Sequence, residues 1–279
     1  MSNNSSQNSI AVQKASGERE TFSEKKLLAS LGRSGASEEL AQRVIRLVKQ
    51  QARPGITSAK IYRLAFGLLH KEARHLAARY SLKQAIMALG PSGYPFERII
   101  AALFAKQNYY TEVGVNLQGA CVGHEVDVIA TRPGHRLFVE CKYRNNHGNK
   151  CDVKVALYVH ARAMDLGKNA DLEPFQEFWL ATNAKFTRDA IQYGQCAGLK
   201  LLSWDYPERN GLRERIHLSQ IHPITCLTTL KVREKRDLLK RNIVLCTELA
   251  EKPHLLDSLR LKEAARRRVL REINDLQEI

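Results

Sequence analysis

This sequence lacks three features, and each absence removes a class of protein. Its six cysteines show no CxxC spacing, so the sequence supports no zinc site. No apolar run is long enough to span a bilayer, and no signal-peptide core is visible, which predicts a cytoplasmic protein with no membrane partner. Several cysteines lie inside apolar segments, as the reduced, buried thiols of a cytosolic protein do.

Acidic residues are scarce relative to basic ones. The chain has 44 Lys and Arg against 29 Asp and Glu, a net charge of +15, and an isoelectric point of about 9.7. This excess suits a polyanion such as DNA or RNA, although basic proteins also bind acidic partners and membranes. A length of 279 residues is enough for about two domains.

The most informative segment covers residues 123–142, where two apolar runs meet at a Pro-Gly turn. The pattern predicts a β-hairpin. Since side chains alternate faces along a strand, Glu140 and Lys142 share a face, and Asp127 joins them if the register allows it. Two carboxylates and an ammonium group on one patch suit a divalent metal ion, with the lysine handling a water molecule. The same alternation is also typical of any half-exposed strand.

The surrounding elements give this pattern a context. A helix is predicted over 95–104, with Glu97 near its start, and the predicted strands cover 122–130, 137–143, 177–182 and 200–204. Two further helices are predicted over 153–166 and 186–193. This αβββαβαβ order, with the phrase ATNAKFTRDA over 181–190, resembles the PD-(D/E)xK nucleases and, more narrowly, the Mrr-type restriction endonucleases. The resemblance implies an α/β fold with a restriction-endonuclease-like mixed sheet.

The resemblance also implies roles for individual residues. Asp127 and Glu140 would bind Mg²⁺ or Mn²⁺, and Cys141 would offer its carbonyl to the metal ion while its side chain packs in the core. Lys142 would position or deprotonate the attacking water, or stabilise the developing charge. The implied reaction is the hydrolysis of a phosphodiester.

Two helix residues have competing interpretations. Glu97 matches the acid that often completes the metal site in this family, but a Glu in a first turn also favours the helix dipole with no further role. His160 falls where the family often carries Gln or another polar residue, and a lone His there is more commonly a plain helix residue.

The N-terminal third carries a second pattern. Residues 1–9 are rich in Ser and Asn and are predicted to be a disordered tail. Two short strands flank Ser16-Gly17, and Ser23 is predicted to cap a helix over 24–31. Further helices are predicted over 38–50, 58–69 and 73–88, with Thr57 as the cap of the second of these. Such a hairpin and four helices could also be a plain scaffold.

Three blocks in this region match one known module. Val-x-Lys-x-x-Gly-x-x-Glu-x-Phe-x-x-x-Lys-Leu from residue 12, Gly-Ile-Thr-Ser at 55–58 and Ala-Ala-Arg-Tyr at 77–80 together resemble the ATP-cone. The ATP-cone is the allosteric nucleotide module of ribonucleotide reductases and of their transcriptional repressor. The resemblance implies ATP or dATP as a ligand and a homo-oligomer, a dimer or tetramer. By this resemblance, Lys14 and Lys26 would contact phosphates, and Glu20 would bond the base or sugar. Val12 and Phe22 would flank the adenine, and Thr57 would help to hold the nucleotide. The family usually has Lys-Arg before the turn, and Ala15 here removes one phosphate contact.

From residue 222 the chain is predicted to be helical and basic. It resembles a degenerate helix-hairpin-helix or sterile-alpha-motif-like domain over 222–279, with Asn242 where the hairpin usually has Gly. Asn tolerates a positive φ, so the turn is possible. The basic last helix over 262–271 either grips phosphates or presents a solvated face of a packed helix.

These patterns predict three modules, over 10–90, 94–210 and 222–279, with a short linker at 90–93. The function they favour is a nucleotide-regulated, metal-dependent DNA endonuclease in restriction, defence or DNA repair. The alternative is a non-catalytic regulator that senses ATP or dATP and binds DNA. An RNA nuclease or a structural assembly protein is a third possibility. The complete acid–acid–lysine set favours catalysis.

Overall fold

A computed structural model describes residues 10–14, 17–146 and 148–278. The predicted tail over 1–9, the Ala15 departure with its neighbour Ser16, and His147 lie outside the described residues. The chain divides into two compact units, Met1–Ser81 and Leu82–Ile279, and each is described on its own.

The first unit is a small three-stranded sheet with four helices. The sheet order is β2-β1-β3, with β1 antiparallel to β2 and parallel to β3. The predicted hairpin is confirmed, and Ser23 and Thr57 cap their helices through their side-chain oxygens. The elements are β1 (Ala11–Gln13), β2 (Arg19–Thr21), α1 (Glu24–Arg33), α2 (Glu38–Gln51), β3 (Ile56–Thr57), α3 (Ser58–Glu72) and α4 (Arg74–Tyr80).

The single helix predicted over 73–88 is two helices, α4 and α5 (Leu82–Met87). Ser81 separates them: its hydroxyl donates to the carbonyl of Ala78 at 2.9 Å, and its N–H donates to Ala77. A serine that bonds back to the preceding turn competes with continuation of the helix. The compact units also divide at this serine, so α5 belongs to the second unit and the Gly-rich segment over 90–93 lies inside it.

The second unit is built on a five-stranded mixed sheet in the order β10-β8-β6-β5-β4. Strands β4, β5 and β6 form an antiparallel meander, whereas β6, β8 and β10 run parallel. The predicted αβββαβαβ order is confirmed. The elements are α6 (Tyr94–Ala105), β4 (Tyr110–Gln118), β5 (Gly123–Arg132), β6 (His135–Lys142), β7 (Lys150–Cys151), α7 (Val153–Gly167), β8 (Glu177–Thr182), β9 (Lys185–Phe186), α8 (Arg188–Cys196) and β10 (Lys200–Leu202).

The sheet lies between helices. Helices α7 and α8 cover it through a buried cluster that includes Phe138, Val159 and Ala190, and α6 packs on β4 and β5. Strand β4, at the sheet edge, has no buried residue, which explains why its sequence lacks the apolar run that marks its neighbours. None of the described helices is long and apolar enough to cross a membrane.

The C-terminal part of the second unit is helical. It contains α9 (Leu212–Leu218), a 3₁₀ turn (Ile224–Cys226), α10 (Val232–Lys240), α11 (Cys246–Glu251), a second 3₁₀ segment (Pro253–Leu259) and α12 (Glu263–Gln277). Asn242 adopts a φ of 60°, the conformation expected of it in the turn after α10. The buried Glu272 of α12 accepts four hydrogen bonds of 2.6–2.9 Å from the backbone and hydroxyl groups of Thr228 and Thr229.

Candidate active site

Asp127 lies where the pairing of β5 is interrupted on both sides. The β5–β6 ladder ends at the pair Val128–Val139, and the β4–β5 ladder skips Asp127 and Gly114, which adopts a φ of 68°. The Asp127 carboxylate accepts a hydrogen bond of 2.6 Å from the backbone N–H of Cys141 on β6. A side chain therefore replaces a ladder hydrogen bond, and this brings the carboxylate to the start of the Glu140–Lys142 segment.

Glu140 is the buried centre of the site, with 3% of its surface exposed. One of its carboxylate oxygens lies 3.4 Å from Nζ of Lys142. The Lys142 ammonium is about one-third exposed and lies 5.8 Å from the ring centroid of Tyr158 on α7. The structure thus brings Glu140 and Lys142 together, as the alternation along the strand predicts.

Arg162 on α7 is a member of the site that was not predicted from the sequence. Its guanidinium donates to the second carboxylate oxygen of Glu140 and to the backbone carbonyl of Glu125. It is buried and lies 5.5 Å from the ring of Tyr158. The signal was present in the sequence: Arg162 stands three positions after Val159, on the apolar face of α7, where a charge needs a partner.

Glu97, in the first turn of α6, interacts with three further carboxyl groups. Burial, followed by the negative charges of Asp127, Glu125 and Glu140, raises the pKa of Glu97 to about 7. Burial and the charge of Glu140 raise the pKa of Asp127 to about 6, although the Cys141 N–H, Lys142 and Arg162 oppose the rise. The cations present do not neutralise this crowding of negative charge.

The donor atoms of this group fit a hard divalent cation. Mg²⁺ keeps several waters and is held by one or two carboxylates, so Asp127 and Glu140 suffice as side-chain ligands. Among the described residues, no group of three or more His, Cys, Asp or Glu side chains is arranged to hold a metal ion. The Cys141 side chain is buried, as predicted, and burial raises its thiol pKa well above the usual value.

The end of β8 holds the backbone that follows the site. The Thr182 hydroxyl donates to the carbonyl of Lys142 at 2.6 Å. The Asn183 amide accepts from the N–H of Arg144 at 2.8 Å and donates to its carbonyl at 2.7 Å. These contacts give the ATN phrase a physical role, because they fix the course of the chain directly after Glu140 and Lys142. His160 hydrogen-bonds Tyr193 on α8 at 2.6 Å, which is a helix-to-helix contact.

The first unit holds a second charge cluster, made of Lys14, Glu20 and Lys26. One carboxylate oxygen of Glu20 lies 3.1 Å from Nζ of Lys14 and 2.8 Å from Nζ of Lys26. Hydrogen bonds from Lys26 and then Lys14 lower the pKa of Glu20, and the bonds to Glu20 and Glu18 raise the pKa of Lys14. Three of the six residues predicted to contact a nucleotide therefore lie together at the hairpin.

The other three predicted nucleotide contacts surround this cluster differently. Thr57 on β3 pairs with Gln13, the neighbour of Lys14, and its hydroxyl accepts from the N–H of Lys60. Val12 is buried, with 4% of its surface exposed, and Phe22 packs against the core of the first unit. Both apolar side chains serve the unit's own packing in this conformation.

Comparisons with known proteins agree with the geometry of the second unit. Residues 90–206 match the profile of the Mrr catalytic domain, a restriction endonuclease, and residues 222–277 match that of the AF1548-like C-terminal domain. An uncharacterized protein from Archaeoglobus fulgidus is 34% identical over 150 residues, which cover 54% of this chain and 83% of the relative. The chain belongs to the AF1548-like family. Its restriction endonuclease domain contains Glu97, Asp127, Glu140 and Lys142, and also Arg162.

A solved structure supports the fold of this AF1548-like chain. The crystal structure of AF1548, a protein of unknown function, has 30% sequence identity and a TM-score of 0.55, and covers 66% of this chain and 98% of its own. The MspJI restriction endonuclease in complex with a 27-mer oligonucleotide has 13% identity and a TM-score of 0.30, covering 84% of this chain and 48% of its own. A TM-score this low carries no conclusion about this chain.

Proposed function

We propose that this protein is a metal-dependent DNA endonuclease whose activity is regulated by an adenine nucleotide. The observation that carries the catalytic part is the group of Asp127, Glu140 and Lys142 at the split between β5 and β6. Crowded carboxyl groups with raised pKa values are expensive, and a divalent cation is the partner that removes this cost.

Each residue of the site has a separate role in the proposed hydrolysis. Asp127 and Glu140 would hold Mg²⁺ or Mn²⁺, the Cys141 carbonyl would offer a further oxygen ligand, and Glu97 would accept a hydrogen bond from a water in the site. Lys142 would orient the attacking water and stabilise charge on the phosphate, since its ammonium is accessible. When bound, the metal ion supplies Lewis-acid activation of the phosphate and of water.

Arg162 holds the catalytic carboxylate in place. Its two donated hydrogen bonds fix Glu140 against the carbonyl of Glu125, so the free rotation of the carboxylate is removed before any ligand binds. A group that is preorganised in this way loses less entropy when it binds a metal ion.

DNA is the proposed substrate. The restriction endonuclease domain and the net charge of +15 both suit a nucleic acid, and the segment after β6 contains two further cations, Arg144 and Lys150. We would incubate supercoiled, linear and single-stranded DNA, and RNA, with Mg²⁺ or Mn²⁺. Cleavage of RNA alone would contradict a DNA substrate.

Asp127→Asn separates catalysis from binding. The variant should lose cleavage while its affinity for DNA stays the same or rises, because a negative charge is removed next to the phosphates. If the wild type binds DNA and cleaves no DNA with either metal, the non-catalytic regulator becomes the better interpretation.

Nucleotide regulation rests on the cluster of Lys14, Glu20 and Lys26. Two ammonium groups held at one end of a hairpin suit a triphosphate, and ATP or dATP would compete with Glu20 for them. Binding would change the oligomeric state, and the expected coupling is about 1–3 kcal/mol, enough to shift an assembly equilibrium by one or two decades.

Calorimetry with ATP and dATP tests this part. The double variant Lys14→Ala with Lys26→Ala should show no heat of binding for either nucleotide. The matched control is Lys25→Ala with Lys49→Ala, which has the same net charge. Light scattering with and without nucleotide then reports assembly. A wild type without heat for either nucleotide would mean that Ala15 has disabled the site and that the module serves as a scaffold.

A further inference from the structure

The second unit contains a cavity of about 750 Å³ that the proposed reaction does not use. It lies between the segment that joins α5 to α6 and one face of α10. A volume of this size is within the range of about 300–1,000 Å³ that is typical of sites for small ligands. The cavity is therefore large enough for a nucleotide-sized ligand.

One part of its wall is apolar. Met87 contributes from the end of α5, Leu89 from the segment after it, and Val232 and Leu239 from α10. Val232 is 64% exposed. Asn145 adds an amide that can both donate and accept hydrogen bonds. An apolar surface with one amide suits a flat heterocyclic base.

The other part of the wall is basic. Lys235, Arg236 and Lys240 all line the cavity from α10, and Arg236 and Lys240 are one helical turn apart. In the described part of the chain, no ion pair involves any of these three cations. Nζ of Lys235 donates to the backbone carbonyl of Thr225 at 2.9 Å, and burial lowers its pKa. Three cations without carboxylate partners beside an apolar wall suit a phosphate that is attached to an apolar body.

Two residues that line the cavity are near the candidate active site in sequence: Pro95 is two positions before Glu97 in α6, and Asn145 is three positions after Lys142. The cavity is therefore built partly from segments that also carry residues of that site. The apolar wall with its amide favours a nucleotide over a phosphorylated molecule that has no base.

We propose that this cavity is a second binding site, for one nucleotide unit, with the base against the apolar wall and the phosphate on α10. The same chemistry is offered by a free mononucleotide and by an unpaired nucleotide of a nucleic-acid strand. Binding in the cavity is independent of cleavage, so this site can be real even if the chain has no nuclease activity.

The experiment uses the full chain with Lys14→Ala and Lys26→Ala, so that the N-terminal cluster does not contribute, and without divalent metal. The ligands are the four deoxynucleoside monophosphates, inorganic phosphate, a fully paired DNA duplex, and the same duplex with one unpaired nucleotide. The test variant is Arg236→Glu with Lys240→Glu. The matched control is Arg233→Glu with Arg241→Glu, two basic residues of the same region that do not line the cavity.

The expected result is a loss of at least about 30-fold in affinity in the test variant relative to the control, because two charge-assisted hydrogen bonds are lost. If the test variant loses affinity for the mononucleotides, the ligand of the cavity is a free nucleotide. If it loses affinity only for the duplex with an unpaired nucleotide, the ligand is a nucleotide of a nucleic-acid strand. Leu239→Trp, which narrows the cavity without changing charge, should also weaken binding. Equal losses in test and control variants, no binding of any nucleotide ligand, or inorganic phosphate binding as tightly as the nucleotides would overturn the proposal.

Discussion

The two charge clusters of this chain are built in opposite ways. At the hairpin of the first unit, Glu20 is shared by Lys14 and Lys26 on the surface, and Lys14 also pairs with Glu18. At the split between β5 and β6 of the second unit, Glu97, Asp127 and Glu140 lie half-buried or buried, and the pKa values of Glu97 and Asp127 are raised.

The difference shows how the burial and the charge of a cluster predict the sign of the ligand that it binds. Exposed charges that pair with one another cost little, and they remain available to an anion that competes for the cations. Carboxylates that are buried side by side raise the free energy of the folded state, and a bound cation lowers it again. The first cluster therefore suits an anionic ligand and the second a metal ion.

The largest effect is expected from Lys142→Ala. The loss of the ammonium next to the carboxylate oxygen of Glu140 should reduce DNA cleavage by about 10²–10⁴-fold, the usual range for a residue that handles a proton or a water. The rate of plasmid nicking measures it, with Lys106→Ala, an exposed lysine after α6, as the control. Cleavage retained at the control's rate would remove Lys142 from the mechanism.

A large effect on stability is expected from Arg162→Met. This change leaves the buried Glu140 carboxylate without its main partner and should lower the free energy of unfolding by about 3–5 kcal/mol. Urea denaturation measures it. Lys154→Met, an exposed position on the same helix, should change stability by less than about 0.5 kcal/mol. Similar values for the two variants would mean that Arg162 carries no buried charge pair.

A moderate effect is expected from pH. The folded-state pKa values of Glu97 and Asp127 lie above their unfolded values, so the folded state binds these protons more tightly than the unfolded state. The stabilisation from this proton binding is present at low pH and is lost as pH rises through about 4 to 7. Across that window, the free energy of unfolding of the wild type should fall by on the order of 1–3 kcal/mol relative to that of the double variant Glu97→Gln with Asp127→Asn.

Urea denaturation of both proteins at a series of pH values gives this difference. Millimolar Mg²⁺ should then raise the melting temperature of the wild type near neutral pH and leave the double variant unchanged. A difference that stays flat with pH, or an equal response to Mg²⁺ in both proteins, would contradict a site for a cation.

The smallest effect is expected from Glu20→Gln. Because the ion pairs of Glu20 are at the surface, their loss should leave the urea midpoint of the first unit almost unchanged. The same change removes the ion pair of Lys26 and leaves Lys14 paired only with Glu18, so it separates stability from ligand binding when calorimetry with ATP is run on the same sample. A clear fall in the midpoint would show that the cluster is structural.

Much of the second unit could be predicted from the sequence. Four of the five strands and the helices between them follow from apolar runs and turn residues, whereas the edge strand β4 has no apolar run. Glu140 and Lys142 share a face because a strand alternates. Arg162 was missed, because it lies 20 residues after Lys142 in sequence and meets Glu140 only when α7 packs on the sheet. The break at Ser81 was missed too, since a single serine rarely ends a helix without a competing hydrogen bond.

Short-range patterns were enough to predict the local features of this protein: the hairpin, the caps at Ser23 and Thr57, and the strand alternation. These features depend on neighbours a few residues apart, whose geometry is set by the backbone. Contacts between distant segments required the folded chain: Asp127 accepts a hydrogen bond from the N–H of Cys141, Arg162 is buried against Glu140, and three basic residues of α10 lie beside an apolar wall. Those outcomes depend on which groups share a buried environment, because burial sets the strength of every charge interaction there.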